Sequence, residues 1–215
     1  MISIYCINLD SRPDRWQEAL SSYAQAGAPL ERIIRVPATV DSQFGALGCT
    51  KSHVRAVCDF LTTQDTQYAL ILEDDFDFLR SWQELMQTID QMTTERIDWD
   101  VVLLTGTATL AIPTALPDVR RALESQSAAG YLIRRNYAPE ILSCYAETIP
   151  HMEFFRHVEP KTWTTSRLAI DMVWKTLQRK DRWFIPTPAF GHQRPSFSDI
   201  EKQFCDYGDI TFGVS

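Results

Sequence analysis

No apolar run in the chain approaches the roughly 20 residues that a membrane-spanning helix needs, so no integral span is expected. The start, Met1-Ile2-Ser3-Ile4-Tyr5-Cys6-Ile7, lacks the basic opening and small-residue cleavage site of a secretory leader. The expected location is therefore cytoplasmic. Cysteine is sparse: Cys6, Cys49, Cys58, Cys144 and Cys205 are odd in number and include no Cys-x-x-Cys pair, which argues against a disulfide framework or a structural zinc site. They read as buried, reduced thiols. Positive charge is also in deficit. With 21 Lys and Arg against 28 Asp and Glu, the net charge of −7 leaves no basic surplus to displace counterions from phosphates, so nucleic acid is excluded as a partner. An anionic ligand must meet local positive features instead. Internal repeats and low-complexity tracts are absent as well.

What the chain does hold is enough apolar material for one core, 45% of its 215 residues. Strand-like runs alternate with helical patterns, which predicts an α/β domain with a mainly parallel open sheet flanked by helices. A strand over 2–7 leads to a helix over 13–26, with Ser11 as cap, Pro13 in the first turn and Gly27 at the end. A strand follows over 33–36. The next helix is expected over 50–62, where Val54, Val57, Cys58 and Leu61 share one face, and a strand begins at Tyr68. Ser81 and Glu84 form a capping-box pattern opening a helix to Met92, and 101–104 reads as a buried strand. The stretch 105–127, with Gly106, Pro113 and Pro117, reads as a loop ordering around ligand. A strand over 131–134, a helix over 137–146, an irregular or partly helical segment over 147–163 and a helix over 167–178 complete the expectation.

The chemistry concentrates in Tyr68-Ala69-Leu70-Ile71-Leu72-Glu73-Asp74-Asp75-Phe76, an apolar strand ending in three carboxylates. Adjacent negative charges disfavour folding unless neutralised, and a divalent cation held by oxygen ligands is the usual answer. A solvated acidic turn is the bland alternative. Asn8, Asp10, Arg12 and Arg15 cluster at the end of the first strand, where open α/β sheets bind nucleotides, or else they simply decorate a helix start. Gly45-Ala46-Leu47-Gly48-Cys49-Thr50-Lys51-Ser52-His53 is not a Walker loop. Backbone N–H groups near Gly48, with Lys51, could still receive a diphosphate at a helix start; a plain helix with a satisfied His53 is the competing reading. Asp171 falls on the flank of an apolar stripe beside Trp174, where desolvation would raise its proton affinity as for a general base. It reads equally as a rim residue paired with Lys175 or Arg167. In the tail, His192 could close a metal site and Arg194 could bind phosphate.

Taken together, these pieces resemble glycosyltransferase family 25. The resemblance rests on Ile7-Asn8-Leu9-Asp10 with Arg12 and Arg15, on Gly48-Cys49 with Ser52-His53, and on the strand ending Glu73-Asp74-Asp75. It continues through Ala129-Gly130-Tyr131-Leu132-Ile133, Ile170-Asp171, and Gln193-Arg194 with 196–201. It implies a single GT-A domain over 1–215, with a nucleotide-sugar half over 1–104 and an acceptor half over 105–215. It further implies a nucleotide-sugar donor, UDP-linked, a Mn2+ or Mg2+ cofactor, and a glycan, lipid-linked sugar or protein hydroxyl as acceptor, as in polysaccharide biosynthesis. Glu73-Asp74-Asp75 takes the place of the family's D-x-D motif with Glu in its first position. Under the resemblance Asp75, Glu73 and His192 are the metal ligands, Glu73 alternatively holds ribose, and Asp171 is the base of an inverting displacement. Trp163, Trp174 and Trp183 could offer faces to a sugar ring, though each also reads as a core residue, Trp174 most of all. A metal-dependent phosphohydrolase or nucleotidyltransferase, and a non-catalytic sugar-nucleotide scaffold, compete with this reading.

Overall fold

The computed structural model describes residues 2–63, 66–158, 167–198 and 203–205. Strand β1 (Ile2–Asn8) is buried at every position, as a strand covered on both faces must be. Period-two alternation then divides its side chains: Ile4 and Cys6 join one core, Tyr5 and Ile7 the other. β2 (Ile33–Pro37) and β3 (Tyr68–Glu73) pair with β1 in parallel on either side. β3 repeats the division, sending Leu70 and Leu72 to one core and Ala69 and Ile71 to the other. At about 1.5–3 kcal/mol per fully buried large apolar side chain, these two strands anchor the sheet.

The remaining strands of the sheet are β5 (Val101–Leu103), β6 (Thr107–Pro113), β7 (Val119–Gln126), β8 (Gly130–Arg134) and β9 (Trp183–Pro186). The order is β2-β1-β3-β8-β5-β9-β7-β6. Only β8 and β7 oppose the common direction, so the expected mainly parallel α/β sheet is present. Two short antiparallel pairs stand apart: β4 (Phe76–Phe78) with β10 (Gly191–Gln193), and β11 (Ser196–Ser198) with β12 (Gln203–Cys205).

Helices α1 (Pro13–Gln25) and α3 (Trp82–Thr94) cover one face. The other is covered by α2 (Gly45–Thr62), α4 (Ala138–Val158), α5 (Ile170–Val173) and α6 (Lys175–Lys180). The capping box of α3 forms as expected, with the Glu84 amide donating to Ser81 Oγ at 3.3 Å and the Ser81 amide to Glu84 Oε2 at 2.9 Å.

Five expectations are corrected. Arg12, not Ser11, precedes α1, and no side chain caps that end. α2 opens at Gly45 instead of Thr50, because Asp41 Oδ1 accepts from the Gln43 and Phe44 amides and steers the chain into the helix from outside its first turn. The expected loop over 105–127 is largely the β6–β7 hairpin; Pro113 is tolerated because β6 is the sheet edge. α4 runs past 146 to Val158, absorbing Pro150 at the loss of one helical hydrogen bond. The helix expected over 167–178 is two pieces interrupted at Trp174.

Candidate active site

The site lies at the carboxyl ends of β1 and β3. Glu73 ends β3, and Asp74 and Asp75 make the turn into β4. Phe76 fixes that turn by lying against backbone where there is no side chain. A Cβ at Gly130 would come within 2.6 Å of its ring, and one at Gly191 within 2.2 Å.

Asn8 and Arg15 organise the carboxylates. Asn8 Nδ2 donates to Asp74 Oδ2 at 2.7 Å and to the Arg12 carbonyl at 3.0 Å, while Asn8 Oδ1 accepts from Arg35 Nε at 2.8 Å. Arg15, on the buried side of α1, bridges Asp74 Oδ1 and Asp75 Oδ2, each at 3.1 Å. Arg194 adds a guanidinium bond to the Asp74 carbonyl at 2.9 Å and an amide bond to the Asp75 carbonyl at 2.7 Å. The protein's own cations thus meet part of the acidic charge. Among the described residues Asp75 Oδ1 is left buried without a hydrogen-bond partner, as is Asp77 Oδ1 on the adjoining strand, whereas Asp75 Oδ2 also accepts from Gln193 Nε2 at 3.2 Å. Burial, with the charge of Glu73 behind it, pushes the Asp75 carboxyl up to about 7. Burial likewise raises Asp74, against the pull of Arg15.

Glu73 faces the opposite way, toward α2. Its Oε1 lies 3.1 Å from His53 Nε2 and accepts from Cys49 Sγ at 3.7 Å; His53 Nδ1 is hydrogen-bonded to the Tyr131 hydroxyl at 2.9 Å. Burial works to raise Glu73, but the His53 bond and charge outweigh it and hold the carboxyl below its ordinary range. Asp171, in the first turn of α5, accepts the Ser127 amide on Oδ2 at 3.1 Å. Burial raises its carboxyl, the Ser127 amide opposes that, and the charge of Glu73 adds to it.

The other expected residues are distributed around this centre. Asp10 pairs with Arg35 at 2.8 Å, and Arg12 with Asp14 at 2.8 Å. Gly48 sits inside α2 and not at its start: its amide bonds the Phe44 carbonyl at 3.4 Å, and a Cβ there would lie 2.6 Å from the Thr39 carbonyl oxygen. Its glycine character serves packing against the segment before α2. Lys51 reaches Glu153 on α4 at 2.7 Å. His192 stands opposite Asp77 in the β4–β10 ladder, with Nδ1 buried and without a hydrogen-bond partner among the described residues. Trp174 and Trp183 are fully buried, edge to face at 5.1 Å, so neither offers a face to a sugar; Trp163 lies outside the described residues. Sequence reasoning did not assign Cys49, Tyr131 or Gln193 to the site. The one-turn spacing of Cys49 and His53 was the available signal for the first.

No protein-family model matches the chain, and no curated protein matches its sequence. Among solved structures, A197 from STIV is 11% identical, with a TM-score of 0.52 over 97% of this chain and 94% of that one. An apo UDP-glucose pyrophosphorylase is 9% identical, with a TM-score of 0.49 over 86% and 90% of the two chains. Mouse xyloside xylosyltransferase 1 is 8% identical, with a TM-score of 0.44 over 85% and 84%. At such identities the likeness concerns the fold alone. Among the described residues no helix is long and apolar enough to cross a membrane.

Proposed function

We propose that the chain is an inverting, metal-dependent glycosyltransferase of the family 25 kind. It would move a sugar from a nucleotide-sugar donor, UDP-linked, to a hydroxyl of a glycan, lipid-linked sugar or protein. The observation that carries the reading is the buried, unpartnered Oδ1 of Asp75 at the strand ends where open α/β sheets bind nucleotides. A carboxylate oxygen without a partner in so buried a place fits a hard cation, Mn2+ or Mg2+, which prefers oxygen ligands. Asp75 would hold it, with His192 as a further ligand; Glu73, expected as a second metal ligand, is turned toward His53 and lies outside that set. When bound, such a cation supplies positive charge for the leaving diphosphate.

The chain's own residues do the rest. Asn8 and Arg15 hold the carboxylate turn rigid, so that its charge is oriented before donor arrives. Asp171 is the base: with Oδ2 tied to the Ser127 amide, Oδ1 is the atom that receives the acceptor proton. The acceptor oxygen then bonds the anomeric carbon, the anomeric carbon–phosphate oxygen bond breaks, and the electron pair leaves with the nucleoside diphosphate. Burial and the neighbouring Glu73 raise the proton affinity of Asp171, as this role needs.

A thermal-shift screen of nucleotide sugars with and without Mn2+ tests the reading, followed by product analysis of the stabilising donors. Stabilisation by UDP-sugars only with metal, and release of nucleoside diphosphate, is the expected result. Release of pyrophosphate would instead mark a nucleotidyltransferase. Indifference to every donor would overturn both.

A further inference from the structure

The Cys49, His53 and Glu73 side chains stand in an arrangement that the transferase reading does not use. Cys49 and His53 are four residues apart on α2, which puts both on one helix face, and that face meets the carboxylate ending β3. Their ligand atoms all lie within 4.8 Å of one another. The separation from Glu73 Oε1 is 3.1 Å for His53 Nε2 and 3.7 Å for Cys49 Sγ. Ligand atoms on a tetrahedral zinc ion, with bonds of about 2.0–2.3 Å, lie about 3.3–3.7 Å apart. Two of the three separations are thus already close to the edge of such a tetrahedron, and the third, between Cys49 and His53, is within 4.8 Å. The far nitrogen of His53 is held by the Tyr131 hydroxyl at 2.9 Å, the outer support that metal-binding imidazoles usually have. His53 is fully buried, so its ring is fixed before any ion arrives.

We propose that Cys49, His53 and Glu73 form a three-ligand site for a borderline-soft divalent cation of the zinc class. One thiolate and one carboxylate balance the charge of the dication, so loading leaves the buried pocket neutral. Loading forms metal–sulfur, metal–nitrogen and metal–oxygen bonds and releases the Cys49 thiol proton to solvent. A thiolate and an imidazole separate this site from the hard-cation site at Asp75, since Mn2+ and Mg2+ prefer oxygen.

The test is cobalt titration of the metal-free 215-residue chain, read by the thiolate-to-cobalt charge-transfer absorption, with zinc added afterwards. One equivalent of cobalt should raise the band and zinc should bleach it. Cys49→Ser should abolish it, and Tyr131→Phe should weaken cobalt binding about 10–100-fold. The wild-type chain supplies a second arm that needs no variant to fold: zinc should protect Cys49 from alkylation while leaving the exposed Cys58 reactive. Absence of the band, its survival in Cys49→Ser, or unchanged alkylation of Cys49 with zinc would each overturn the proposal. None of these readouts needs donor or acceptor, so they stand or fall separately from the transferase reading.

Discussion

Replacing Asp75 by Asn should make the protein more stable above neutral pH while removing the group on which the proposed function depends. In the folded chain the Asp75 carboxyl is raised from 3.8 to about 7, by burial first and the Glu73 charge second. A carboxylate raised on folding opposes the fold when ionised; the penalty is complete above the folded value, shrinks as pH falls below it, and is gone below the unfolded value. A gap of about three pH units at about 1.4 kcal/mol each gives roughly 4 kcal/mol at about pH 8.5, and less than about 1 kcal/mol near pH 4. Asn keeps an acceptor for Arg15 and Gln193 without the charge. For a chain of this size, 4 kcal/mol corresponds to about 8–16 °C in Tm. Urea denaturation of both proteins at the two pH values measures the difference. A variant less stable than the wild type at the higher pH, or a difference that does not change with pH, would refute the reasoning. Under the proposed function, Mn2+ should raise the wild-type Tm and leave Asp75→Asn unmoved.

Further perturbations address the rest of the site. Arg15→Met removes the buried cation bridging Asp74 and Asp75 and should cost about 3–5 kcal/mol by denaturation, with part of the loss recovered in the double variant with Asp75→Asn. Asp171→Asn should keep the Ser127 bond and the fold, leave donor binding unchanged by calorimetry, and slow transfer about 10²–10⁴-fold. Gly48→Ala should destabilise by about 1–3 kcal/mol in thermal unfolding, because the new methyl meets the Thr39 carbonyl and the segment before α2 must move.

The strand framework was legible because β1 and β3 are continuous apolar runs, and the carboxylates could be placed at a strand end from the same pattern. The hairpin β6–β7 was not, since Gly106, Pro113 and Pro117 signal a turn wherever they occur, and edge position, which excuses a proline, is a property of the whole sheet. The start of α2 was hidden for a related reason: Asp41 acts from outside the helix, and nothing periodic marks it. Within the site, the identities of Asn8, Arg15, Glu73, Asp74, Asp75 and Asp171 were legible as chemistry. Their partners were not. That Arg15 would bridge two aspartates 59 and 60 positions away, or that Glu73 would turn toward His53 while Asp75 kept a bare oxygen, depends on how α1 and α2 lie across opposite faces of the sheet.

The ring of Phe76, held between the bare backbones of Gly130 and Gly191, makes the position of the carboxylate turn depend on atoms that are missing from two distant points of the chain. A methyl group added at either point touches no carboxylate, yet it displaces the ring and with it the peptide that carries Asp75. In a mutational map, positions 130 and 191 would therefore stand out as intolerant sites with no chemical side chain of their own. For anyone redesigning the pocket they set a boundary: Asp74 and Asp75 can be exchanged for other side chains while the two glycines stay, but an intact acidic triplet will not keep its aim once either glycine is filled.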